Sequence, residues 1–207
     1  DTWLYGNARG GMIRGLPATT ITGQRYQRNA AGRILIDPGT GLPIGDGLFT
    51  VIGDRMPDFT LGTLNSFRYK NWGLSFLWDL KVGGDVFDAT EMYLTLAGKS
   101  QRTADRMNAR VIDGVLKDGR ENSATPTDNT ISVVPYFQQT YYTSMPEEEF
   151  VEKNVNWFRL RDLSLSYSLP ANMLKNVGFL TSASVFFTGN DLVRSEEHTS
   201  ELQSPCN

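Results

Sequence analysis

The sequence predicts an all-β chain, a fragment of an antiparallel transmembrane β-barrel with about four barrel strands and long extracellular loops. Three observations carry that reading. Apolar and polar residues alternate with a period of two over several stretches of about ten residues. The connections between those stretches run very short, very long, short. Hydrophobic residues, 40% of the 207, are spread along the chain, and no apolar run approaches the roughly 18 residues of a membrane helix. Alternation alone fits a soluble antiparallel sandwich equally well; the loop lengths favour the barrel. A net charge of −3 with 21% charged residues excludes a basic nucleic-acid binder and an acidic disordered chain.

Residues 1–57 are punctuated by glycine and proline, and DPGTGLP (Asp37 to Pro43) is dense turn chemistry. The stretch reads as an elaborate extracellular loop without a core, with Ile34 to Ile36 and Arg25 to Gln27 as arms of a small hairpin. Residues 58–82 read as a barrel hairpin. In Trp72 to Val82 the even positions Trp72, Leu74, Phe76, Trp78, Leu80 and Val82 are all apolar, against Leu77 alone among the odd ones. Before them Phe59, Leu61, Phe67 and Tyr69 alternate with polar or small residues, and Lys70-Asn71 is left as a tight turn. Residues 83–155 form a long extracellular loop, far beyond ordinary connection lengths. It holds a possible helix from Ala89 to Leu116 interrupted by Gly98, an aromatic cluster and the acidic run Glu147 to Glu149.

Residues 156–193 read as two further barrel strands. Leu163, Leu165, Tyr167 and Leu169 share one face, but Phe158 and Leu160 sit on the other parity, and a β-bulge near Arg161-Asp162 would reconcile them. Ala183, Val185 and Phe187 alternate with Ser182, Ser184 and Thr188 in the last strand, which is expected to end at Val193. From Arg194 to Ser204 the chain reads RSEEHTSELQS, which resembles the translation of a widely used sequencing adapter, so residues 194–207 are expected to be a non-native tail. That tail holds the single His (His198) and the single Cys (Cys206). Without it, Ser-His-Asp and Cys-His catalysis have no residues to use, and a typical zinc site is not expected.

IGDRMPDFTLGTLNSFRYKNWGLSFLWDLKVGGDVFDAT (Ile52 to Thr90), VEKNVNWFRLRDLSLSYSLP (Val151 to Pro170) and VFFTGNDL (Val185 to Leu192) resemble the late-barrel region of the SusC/RagA family of TonB-dependent outer-membrane transporters. TGQRYQRNAAGRILIDPGTGLPI (Thr22 to Ile44) is similar to the loop that precedes those strands in the family. The resemblance implies the cell outer membrane and a plugged barrel in contact with lipid. It also implies coupling to a TonB complex through regions N-terminal to this fragment, a SusD-like surface lipoprotein as lid, and oligosaccharide or peptide cargo. It implies no enzyme activity, cofactor, metal or nucleic-acid partner. The alternative reading is a secreted β-sandwich glycan-binding module.

Among individual residues, Tyr136, Phe137, Tyr141 and Tyr142 are the candidates for substrate binding, since aromatic rings stack on sugars; packing within the loop or contact with a lid is the competing role. Asp79 and Lys81 are expected to face the barrel interior. Arg159, Arg161 and Asp162 read either as a ligand clamp or, more simply, as a salt-bridge ladder in the lumen. The Asp37 to Gly47 loop has oxygens for a cation but lacks EF-hand spacing. Glu148 and Glu149 resemble a glycosidase pair only superficially, and an acidic run is expected to solvate a loop.

Overall fold

The computed structural model describes residues 2–5, 8–11, 13–138, 140–174 and 182–197. In chain order the elements are β1 (Thr2–Tyr5), β2 (Ala8–Gly10), β3 (Thr20–Gly23), β4 (Leu35–Ile36), β5 (Thr50–Asp54), β6 (Phe59–Tyr69), β7 (Trp72–Val82) and β8 (Val86–Phe87). After them come α1 (Ala89–Leu96), β9 (Arg110–Val111), β10 (Val115–Leu116), β11 (Ser132–Val133), β12 (Val151–Glu152), β13 (Asn156–Ser168), α2 (Ala171–Leu174) and β14 (Ser184–Glu197). The elements fall into two compact units, one built from residues 1–56 and 85–153, the other from 57–84 and 154–199.

The second unit is the all-β wall that the alternation predicts. Its sheet has the order β14-β13-β7-β6, antiparallel throughout. Lys70-Asn71 is the tight turn, with Tyr69 opposite Trp72. The register aligns the apolar parities of all four strands into rows on one face. Leu61, Leu80 and Phe158 form one row; Asn65, Phe76 and Leu163 another; Phe67, Leu74, Leu165 and Phe187 a third. The opposite face carries Gly62, Asp79 and Arg159, and below them Ser66, Ser75, Ser164 and Thr188.

The bulge forms where the parity changes. Between Leu160 and Asp162 the register of β13 shifts against β7, so that Arg161 has no partner there. Phe158 and Leu160 thereby join Leu163, Leu165 and Tyr167 on one face. On the β14 side Leu160 faces Val193 and Asp162 faces Asn190, which leaves Asp191 and Leu192 as further extra residues. Asp191 relieves that widening with a left-handed φ of 50°. Strand β14 continues beyond the expected end at Val193 as far as Glu197, paired with Asn156. His198 and Cys206 lie outside the described residues.

The first unit corrects the reading of residues 1–57 as a loop without a core. Strands β1, β2, β3 and β5 form an antiparallel sheet, and β4 pairs in parallel with β10 from the 83–155 segment. Ile21, Ile36 and Val115 are completely buried. Gly114, just before β10, lets the two short strands approach closely: a Cβ there would lie 2.6 Å from the Ile34 carbonyl oxygen. The expected small hairpin is present, with the Leu35 N–H donating to the Gln27 carbonyl and an Arg28–Ile34 bridge.

The helix expected over Ala89 to Leu116 is a second correction, because it ends at Leu96. Asp88 caps its start by accepting from the Glu91 N–H at 2.8 Å. Gly98, with a φ of 67°, closes it. The Lys99 N–H donates to the Leu94 carbonyl and the Gly98 N–H to that of Thr95, the pairing that satisfies the last carbonyls of a helix. Beyond the helix the chain makes a 3-10 turn, Gln101–Thr103, and short strands.

The acidic run does not merely solvate a loop. Residues Glu147–Phe150 form a 3-10 turn in which Glu147 is buried. Its Oε2 accepts from the Gln24 N–H at 2.9 Å. Glu148 Oε1 accepts from the Tyr26 N–H at 2.6 Å and lies 3.3 Å from Arg28 Nη2. Glu149 Oε2 is 3.0 Å from Arg102 Nη2. Two carboxylates thus take the amides that a neighbouring strand would otherwise take, because alternate residues of an extended segment donate to the same side. Replacing both Glu147 and Glu148 by Ala is expected to speed amide exchange at Gln24 and Tyr26. Each orphaned donor costs about 1–3 kcal/mol. Hydrogen exchange on the full-length protein reads this out, and unchanged protection at both amides would show that the carboxylates pin nothing.

Candidate functional site

The polar face of the four-stranded sheet gathers charges around one carboxylate. Asp79 Oδ2 lies 3.0 Å from Arg161 Nη1 and 3.7 Å from Arg159 Nη2. The Arg159 Nε is 3.6 Å from Asp191 Oδ1, too far for a hydrogen bond, and has none among the described residues. The Arg159 guanidinium also sits 5.0 Å from the Trp157 ring centroid. Arg161 reaches Asp79 from the bulge, where it has no register partner on β7. Asp162 stands outside the cluster; its Oδ1 lies 3.2 Å from the Asn190 amide nitrogen, turned to donate. Lys81 occupies the same face, paired in register with Thr60 and Trp157.

The arrangement is therefore a ladder of alternating charge, Asp79–Arg161 and Asp79–Arg159–Asp191. Its members are partly exposed, so each pair contributes about 0–1 kcal/mol. Asp191 and Asn190 were not legible as partners. Their signal was the geometry of a second bulge, which no local pattern in VFFTGNDL reveals.

In the first unit the four aromatic candidates do not form one platform. Tyr136 and Phe137 sit in the 3-10 turn Pro135–Phe137, with ring centroids 5.3 Å apart and edge to face. They are 60% and 73% exposed. Tyr141 and Tyr142 also meet edge to face, at 4.8 Å, but are half-buried. The Arg110 guanidinium lies 5.7 Å from the Tyr141 ring and is fixed by Asp105 at 2.7 Å. Burial raises the Tyr141 phenol above its ordinary pKa, partly opposed by Arg110. Tyr142 is likewise raised, first by burial, and its buried hydroxyl has no partner among the described residues. Beside them Tyr26 is buried and raised strongly, by desolvation first and then by Glu149. Of the four candidates, Tyr136 and Phe137 offer the most open ring surface.

The Asp37 to Gly47 loop uses its oxygens internally. Asp37 Oδ1 accepts from the Gly39 N–H at 3.0 Å and Oδ2 from the Thr40 hydroxyl at 2.9 Å. Those two bonds hold its carboxyl below the usual range, the Gly39 N–H foremost. Glu148 and Glu149 are committed to Tyr26, Arg28 and Arg102 and do not converge on a cleft.

Four long antiparallel strands with one largely apolar face and one face bearing the charges fit a piece of β-barrel wall. No protein-family profile matches the chain. Over 146 residues, 69% of its length, it is 30% identical to TonB-dependent receptor P3 of Formosa agariphila, of which the match covers 12%. The chain therefore spans a small part of the relative it matches. Fold and match together are consistent with an all-β fragment of a TonB-dependent receptor barrel.

Proposed function

We propose that this chain is the late-barrel part of a SusC/RagA-type transporter that imports oligosaccharides or peptides beneath a SusD-like surface lipoprotein. It does no covalent chemistry. The observation that carries the reading is the two-faced sheet. Phe59, Leu61, Phe67 and Phe187 stay 50% or more exposed on its apolar face, as lipid contact requires, whereas a sandwich would bury them. Lipid tolerates no open edge, so β6 and β14 would each pair with further barrel strands. Asp79, Arg159 and Arg161 would line the lumen beside the plug, which energy from the TonB complex would displace.

The two connections at one end of the strands are short, Lys70-Asn71 and 169–183, and short turns are periplasmic in such barrels. The 83–155 segment leaves the other end and is then extracellular, with Tyr136 and Phe137 available to a lid or to cargo. A cysteine at exposed Ser123 in the full-length protein should react with an impermeant thiol reagent on intact cells lacking the lid. Labelling only after the outer membrane is broken would invert the topology and overturn the reading.

A further inference from the structure

At the Lys70-Asn71 end of the sheet, Tyr69, Trp72 and Tyr167 occupy a single row of the apolar face. Tyr69 is 70% and Trp72 50% exposed. The Trp72 and Tyr167 ring centroids lie 4.6 Å apart. Lys70 projects from the same turn, exposed, with its ammonium 5.3 Å from the centroid of the Tyr69 ring. Among the described residues no carboxylate comes within 4.0 Å of it.

Its backbone is unusual. Lys70 has a φ of 53°, a region in which glycine or asparagine is the low-cost residue. The turn itself does not need a cation. Asn71 ties it to β13, its side-chain amide donating to the Ser168 carbonyl at 2.6 Å and its own carbonyl accepting from the Ser168 N–H at 2.8 Å. A lysine held in a costly conformation, its ammonium over a ring and with no carboxylate beside it among the described residues, points outward for its occupant.

The chemistry of that occupant is set by the row behind it. Tyrosine and tryptophan rings partition to the level of lipid headgroups, and a lysine there carries its charge to the phosphates. We propose that Lys70, with Tyr69, Trp72 and Tyr167, is a binding site for an anionic phospholipid in the leaflet at the short-turn rim, the ammonium meeting the phosphate and the rings flanking the glycerol region. The site sets the depth of the hairpin in the membrane. It rests on the lipid-facing assignment made above.

The test places a reporter on the same row. Val185 faces Tyr167 and is 65% exposed. Full-length protein with Val185→Cys as its reactive cysteine, labelled with a nitrobenzoxadiazole fluorophore, is reconstituted in phosphatidylcholine vesicles. The vesicles carry a minor share of acyl-chain nitroxide lipid, either phosphatidylglycerol or phosphatidylcholine. The labelled phosphatidylglycerol should be enriched beside the reporter by about five-fold, the worth of one lysine at a membrane surface. Lys70→Gln should bring the two lipids to parity, and Lys70→Arg should keep the preference. Equal quenching by both lipids in the protein with Lys70 would overturn the site while leaving the lipid face intact. No quenching by either lipid would overturn the face assignment itself.

Discussion

Phe76→Arg is expected to destabilise the full-length barrel by roughly 2–4 kcal/mol, while Ser75→Arg, one residue away, costs far less. The two positions stand on opposite faces of β7. Phe76 shares its row with Asn65 and Leu163, near the middle of the strand, and its ring lies 5.9 Å from Phe67 and 6.3 Å from Trp78. An arginine there meets hydrocarbon and has no short path to either headgroup region. Ser75 shares its row with Ser66, Ser164 and Thr188, where an arginine would find hydroxyls and, in the proposed lumen, water. A bilayer refolding titration of the two variants separates them. Equal stability would mean that the apolar face does not face lipid.

The difference between these neighbours was legible in the sequence because strand periodicity is local. Each residue's face is fixed by its parity, and the eleven residues of β7 repeat that information many times. The bulge was legible for the same reason: Phe158 and Leu160 break a parity that Leu163 to Tyr167 keep. What failed was non-local. Nothing in the sequence near Leu35 shows that it pairs with Val115, so a glycine-rich stretch reads as a loop when it is a small core. The run Glu147 to Glu149 reads as solvated because the amides its carboxylates accept from, those of Gln24 and Tyr26, lie more than a hundred residues away. The aromatic candidates illustrate the same limit. Their proximity in sequence suggested one cluster, but the chain between Phe137 and Tyr141 leaves one pair exposed and the other packed toward Arg110 and Asp105.

Deleting a single residue gives the sharpest test of the bulge. Removing Arg161 should be tolerated, and removing Ser164, three residues on, should not. Between Leu160 and Leu163 the partner strand β7 advances only from Trp78 to Phe76, so β13 carries one residue too many. Without Arg161 the strand becomes regular against β7: Leu160, Leu163 and Leu165 stay on the apolar face and Asp162 and Ser164 on the polar one. The loss is the Arg161–Asp79 pair, worth about 0–1 kcal/mol because Arg161 is half exposed. Without Ser164 the residue count is equally regular, but the faces between Leu160 and Leu165 are exchanged. Asp162 turns toward lipid and Leu163 toward the charged face. Burial lost at the leucine and a carboxylate placed in hydrocarbon together should cost roughly 2–4 kcal/mol more than the first deletion. The same refolding titration measures both variants. If the two deletions are equally damaging, Arg161 is not the residue that corrects the phase. If Arg161 alone is intolerable, the Asp79 contacts hold the wall together and the alternating faces are secondary.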